Sequence, residues 1–268
     1  MIILTIISII IFVIIYYYLF LTNTEKYVNN LNNDVYFMMK YEISEFLRKD
    51  KDNYINNMSD MDLHARKVKS KREYINNIVK CVCDITDKEK DLLMKCCRNA
   101  DNYLENCNIY SKYINYKDLV NIKWVVACTY KNQNLQYEEG LPHTRENIIF
   151  ISKSVLNYSE TDLTNTMIHE KIHIYQRYNK DVFDKLIYAN GYKKIDYNNK
   201  FIRSNPDTNN DIYLDNKTKN IMVCLYRNSK PTSINDVIMK NFSLEHPYEK
   251  YAYEIANNYY KDTKYKNI

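Results

Sequence analysis

The chain has 268 residues, 46% of them hydrophobic, which is enough apolar material for one sizeable core and excludes disorder throughout. Its net charge of +5 is mild for this length and makes no dominant basic field, so nucleic acid is not expected as a principal partner. The 28 tyrosines and the heavy use of Asn, Ile and Lys, beside two glycines and four prolines, follow AT-rich codons and are read as genome bias.

Residues 2–21 form an apolar run interrupted only by Thr5 and Ser8, about the 20 residues that cross a bilayer as a helix. No basic stretch precedes the run and no small-x-small cleavage site appears before Asn23, so residues 1–22 are expected to be an uncleaved anchor of a single-pass membrane protein. Tyr16, Tyr17 and Tyr18 suit its interfacial end. The orientation stays open, because Lys26 is the only basic residue near either flank.

From 23 to 115 the sequence reads as a helical segment with no strand pattern. Tyr41 to Arg48 has helical composition, and a helix is expected over 60–82, carrying the basic run Arg66-Lys-Val-Lys-Ser-Lys-Arg72 as a solvated face or a contact for acidic lipid or protein. Thr86 with Glu89 makes a capping box, after which Leu92, Leu93, Cys96, Cys97, Ala100 and Leu104 recur at helical spacing. That puts Cys96 and Cys97 on the core side. The seven cysteines lack zinc-ribbon spacing and are read as small buried residues, with one or two disulfides open to them in an oxidising compartment.

At Ile122 the period changes. Ile122, Trp124, Val126, Cys128 and Tyr130 alternate as in a strand, and Ile148 to Ile151 is a second apolar strand. A helix follows, with Ser159 as N-cap and Asp162 in its first turn. Apolar Ile168, Ile172 and Tyr175 flank one side of it and Leu163, Met167 and Ile174 the other, as in a helix wedged into a core. Further on, 211–215 and 221–226 flank the polar turn Asn216-Lys-Thr-Lys219 as a hairpin, and His246-Pro247 opens a C-terminal helix.

The wedged helix carries His169-Glu170-Lys171-Ile172-His173, the one run whose residue types and spacing together specify a chemistry. Residues four apart share a helix face, so His169 and His173 can bind one cation while Glu170, about 100° round, reaches beside it. This is the zinc-hydrolase pattern H-E-x-x-H, in which Zn2+ activates a water for a carboxylate base, here Glu170. The run Thr166 to Gln176, preceded by Leu141-Pro-His-Thr-Arg145 and followed by Glu245-His-Pro-Tyr-Glu-Lys-Tyr-Ala252, resembles the zincin metallopeptidases of the glutamate-ligand (gluzincin) kind. It is similar to zinc metallopeptidases predicted in large DNA viruses. The resemblance covers roughly 120–260 and implies an α+β zincin-like domain over 116–268, a peptide or protein substrate, and pairing of that substrate with the sheet's edge strand.

The third-ligand segment departs from the N-E-x-x-x-E helix of thermolysin-like enzymes, leaving Glu245, His246, Glu249 and Glu254 as candidates. Glu249 is chosen because it sits on the first turn after Pro247 and three residues before the small Ala252, where two helices can approach closely. Glu254 lies five positions on, about 140° round, so both cannot face one ion. For the donor that steadies an oxyanion, His246, Tyr248, Tyr253, His143 and Arg145 are the candidates. Two other functions stay open: a structural zinc clasp in a membrane-anchored scaffold or adaptor, and a zinc hydrolase of a non-peptide substrate.

Overall fold

The computed structural model describes residues 35–238 and 245–266. Among them no helix is long and apolar enough to cross a membrane, and the expected anchor over 1–22 lies outside them. The fold is mixed α+β. In chain order its elements are β1 (Val35–Phe37), α1 (Lys40–Lys49), α2 (Asp60–Ala65), α3 (Lys71–Ile78), β2 (Val82–Cys83), α4 (Asp87–Glu105), α5 (Tyr116–Val120) and β3 (Trp124–Thr129). They continue with β4 (His143–Arg145), β5 (Ile148–Ser152), α6 (Glu160–Tyr178), α7 (Lys180–Ala189), β6 (Tyr192–Ile195), β7 (Ile212–Asp215), β8 (Ile221–Met222) and α8 (Pro247–Lys266).

The main sheet runs β1-β3-β5-β4, with β2 also paired to β3. β1 and β5 lie parallel to β3, and β4 closes the far side antiparallel to β5. Both faces of its centre are covered. Trp124, Val126, Cys128, Ile149 and Ile151 face a core built with α4, α6 and α8, while Ala127, Ile148 and Phe150 face a second core with Ile43, Leu47, Tyr74 and Ile78. The alternation read along β3 is therefore real, but its second face meets a helical layer instead of water.

Two strands stand where a strand-free helical segment was expected. β1 and β2 are only three and two residues long, too short for a period to register, and they exist because they pair with the edge of β3. The helix expected over 60–82 is also broken. Lys67 takes a left-handed φ of 58°, and Ser70 starts α3 afresh by accepting the Glu73 N–H. Arg66 of the basic run is not solvated, since its side chain is 3% exposed and pairs with Asp62 and Glu138. The hairpin expected downstream forms, with Tyr213 opposite Met222, but its second strand stops at Met222 and gains a third strand, β6. Leu225 and Tyr226 make isolated bridges to Ile202 and Val237 instead.

α6 lies at the centre, between α4 and α8. Ser159 caps it, accepting the Asp162 N–H at 3.1 Å. Its burial extends round the whole circumference: Lys171, opposite the histidines, is fully enclosed, donates to Asp101 Oδ1 at 2.6 Å and to the Val120 carbonyl at 2.9 Å, and lies over the Trp124 ring. A buried ammonium without such partners would cost several kcal/mol. α8 approaches closely along Ala252 and Ala256, both fully buried, and Asn165 of α6 donates to the Ala256 carbonyl at 2.7 Å.

Candidate metal centre

The two histidines of α6 meet one carboxylate of α8. His169 Nε2 and His173 Nε2 are 2.9 Å apart, and Glu249 Oε2 lies 3.3 Å from the first and 3.5 Å from the second. A tetrahedral ion with bonds of about 2.0–2.1 Å holds its ligand atoms about 3.3 Å apart, so the three atoms already have the spacing of a coordination triangle. This group could hold a metal ion.

Two of the three ligands are oriented by a neighbour. His173 Nδ1–H donates to Gln176 Oε1 at 2.8 Å, which leaves the lone pair on Nε2 for an ion, and the Gln176 amide donates in turn to the Tyr248 carbonyl at 2.9 Å. Gln176 is fully buried, so this relay is rigid. Asn205 Nδ2 donates to Glu249 Oε1 at 2.8 Å and turns Oε2 toward the imidazoles. The relay from α6 to the start of α8 explains the position of Glu249. Pro247 is the first helical residue, His246 O accepts the Lys250 N–H, and the first turn is pinned through Tyr248.

Glu170 is 3% exposed beside the triangle, and its Oε2 has no hydrogen-bond partner among the described residues. Burial pushes its carboxyl well above the usual range, and the charges of Asp207 and Glu249 push it further. Burial works the same way on Glu249, but the His173 and His169 rings outweigh it and hold that carboxyl well below its ordinary value. His173 is raised: Glu249 overcomes the opposing effect of burial. Three crowded carboxylates, an orphaned oxygen and two converging imidazoles together make a donor set suited to a cation.

The triangle opens on a cleft of about 300 Å³ whose walls include Leu141, His143, Tyr158, Asp207, Ile234 and Tyr253. Of the other candidate ligands, Glu254 faces elsewhere, accepting from Tyr110 and Lys250, and Glu245 pairs with Arg203 at 2.6 Å. His246 Nε2–H donates to Asn209 Oδ1 and the Asp211 carbonyl, its Nδ1 accepts the Tyr248 N–H, and burial pushes it down to about 4. Of the candidate oxyanion donors, Arg145 is committed to Asp50 and Asp52, while His246 and Tyr248 do not line the cleft. His143 lines it, but its Nδ1–H already donates to the Leu141 carbonyl, and burial lowers its pKa. Tyr253 also lines it, its ring 4.4 Å from that of His169.

The outer edge of β4 is closed at Thr144. Asp207 Oδ1 accepts both the Thr144 N–H at 2.5 Å and its hydroxyl at 2.7 Å, and Arg177 reaches the Thr144 carbonyl at 3.4 Å. A substrate strand thus finds the main-chain groups of Thr144 already bonded. Asn205 and Asp207 come from an irregular stretch with no periodic signal, and sequence reasoning passed over both. Gln176 had a readable signal, three residues after His173 and so beside it on the helix. The chain matches no protein-family model, no curated protein and no solved structure.

Proposed function

We propose that this chain is a zinc-dependent metallopeptidase held at a membrane by residues 1–22, with His169, His173 and Glu249 as zinc ligands and Glu170 as general base. The observation that carries the reading is the convergence of three ligand atoms within 2.9–3.5 Å beside a buried carboxylate that has one unpartnered oxygen. Nitrogen and carboxylate donors with one coordination position left open are the donor set of a catalytic zinc, which lowers the pKa of a bound water to about 7 and polarises a carbonyl.

Glu170 takes the proton of the attacking water and returns it to the leaving amine. Gln176 and Asn205 keep His173 and Glu249 in place, so that no reorganisation of the ligands is needed during reaction. Tyr253 is the donor we assign to the developing oxyanion. Burial keeps its phenol protonated and the nearby carboxylates reinforce this, whereas His143 has its one proton engaged elsewhere. With Thr144 closed by Asp207, the substrate lies along the Leu141–Tyr158 rim of the cleft.

The test is hydrolysis of a mixed peptide library by the full chain in detergent, before and after chelation. Activity that is lost to a chelator and restored by one equivalent of zinc supports the reading; activity indifferent to chelation, or no cleavage by a zinc-loaded chain, overturns it.

A further inference from the structure

The seven cysteines play no part in the metal centre, but two of them are placed to react with each other. Cys83 on β2 stands directly opposite Cys128 on β3, and their sulfurs are 3.3 Å apart. That is closer than the about 3.5–4.0 Å of ordinary non-bonded contact. Directly opposed residues of an antiparallel pair have Cα atoms about 4.5–5.5 Å apart, inside the about 4.4–6.8 Å that a disulfide spans. We propose that Cys83 and Cys128 are an oxidative modification site, a cross-strand pair that a small-molecule disulfide such as oxidised glutathione converts to an intramolecular disulfide.

The two thiols are unequal. Cys128 is fully buried, whereas Cys83 is 9% exposed on a two-residue strand at the sheet margin. The contact with Cys128, aided by the Lys153 ammonium against the effect of burial, holds the Cys83 thiol below its ordinary pKa; the same contact, with burial, raises Cys128. Lys153 pairs with Glu89 beside the two sulfurs, with its side chain 31% exposed. Cys83 is therefore the attacking thiolate. It displaces one glutathione thiolate and forms a mixed disulfide; Cys128 then gives up its proton, attacks the Cys83 sulfur and expels the second glutathione. The two protein thiols lose two electrons and two protons, and the oxidant takes up both as two glutathione thiols. Closing to about 2.0 Å needs a movement on the order of 1 Å, which a short strand accommodates.

The bond would tie β2 to the strand that carries β5, since Cys128 is also opposite Ile151. The other five cysteines have no sulfur partner of this kind: Cys96 and Cys97 are neighbours on α4, Cys224 lies in a separate cluster, Cys81 donates to the Asn77 carbonyl and Cys107 to the Tyr103 hydroxyl.

The experiment is to equilibrate the reduced full chain, folded in detergent, with excess oxidised glutathione at neutral pH and then remove the oxidant. The expected result is a loss of about 2 Da, a non-reducing peptide map joining the Cys83 and Cys128 peptides, and a rise in Tm of about 5–15 °C that a reductant reverses. Cys83→Ser, at the more exposed position, should keep its fold and show neither the mass loss nor the Tm rise. Retention of all seven thiols by the folded chain would overturn the proposal, as would a bridge mapped to another pair or between chains.

Discussion

Replacing Gln176 with leucine probes the orienting relay without touching a ligand. Gln176 is fully buried and uses both ends of its amide, accepting from His173 Nδ1–H at 2.8 Å and donating to the Tyr248 carbonyl at 2.9 Å. Leucine has similar bulk but leaves that ring N–H without a partner, at about 1–3 kcal/mol, and removes the side-chain bond to a Tyr248 carbonyl that keeps its place in the helix ladder, at about 0.5–1.5 kcal/mol. The fold should lose about 2–4 kcal/mol and remain folded if its stability lies in the usual range of about 5–15 kcal/mol. His173 is then free to rotate or to change tautomer, and such losses weaken metal binding by about 10- to 100-fold. The assay is a competition titration of zinc against a chromophoric chelator, with urea unfolding of the metal-free protein run in parallel. Gln176→Glu keeps an acceptor for His173 and should recover most of the affinity but not the stability, because the Tyr248 carbonyl then faces an acceptor. Unchanged zinc affinity in a folded Gln176→Leu variant would refute the claim that the relay holds His173 for the metal.

Glu249→Ala should reduce zinc affinity far more than Glu254→Ala, which removes only the contacts to Tyr110 and Lys250; equal effects in the same titration would remove Glu249 from the ligand set. Tyr253→Phe should lower kcat by about 10²–10³-fold with zinc affinity unchanged, and an unaffected kcat would exclude Tyr253 as the oxyanion donor. Stability should also respond to acid through Glu138. Burial disfavours its charge, but Arg66 outweighs burial and holds the carboxyl at about 2 instead of 4.5. The folded value is the lower one, so this contribution, about 3 kcal/mol, is fully present above pH 4.5 and is lost as pH falls toward 2. Glu138→Gln should cost about 3 kcal/mol near neutrality by removing the closer of the two carboxylates paired with Arg66, and its unfolding free energy should fall less steeply with acid than that of the parent chain. Parallel pH profiles for the two would contradict this account.

The metal triangle was legible because its information is local. The four-residue spacing of His169 and His173 fixes their common face on any helix, and Pro247 and Ala252 mark where a second helix can start and approach. β3 and β5 showed in their apolar patterns for the same reason. What escaped was set by tertiary contacts. β1 and β2 owe their strand conformation to the β3 edge, and Arg66, read as part of a solvated basic face, is drawn inward by Asp62 and Glu138. Asn205 and Asp207 lie in an irregular stretch, where no period announces that they meet Glu249 and Thr144, 44 and 63 residues away in sequence. The closure of β4 by Asp207 could be seen only once both segments were in place.

The most direct test of the central claim is the turnover of Glu170→Gln against the parent chain, measured on a cleaved peptide at equal, verified zinc occupancy. Glutamine preserves the shape of Glu170 and the three ligand atoms while removing the group that accepts the water's proton. The account predicts one zinc per chain in both proteins and a fall in kcat of at least about 100-fold in the variant. Equal turnover at equal occupancy would contradict it.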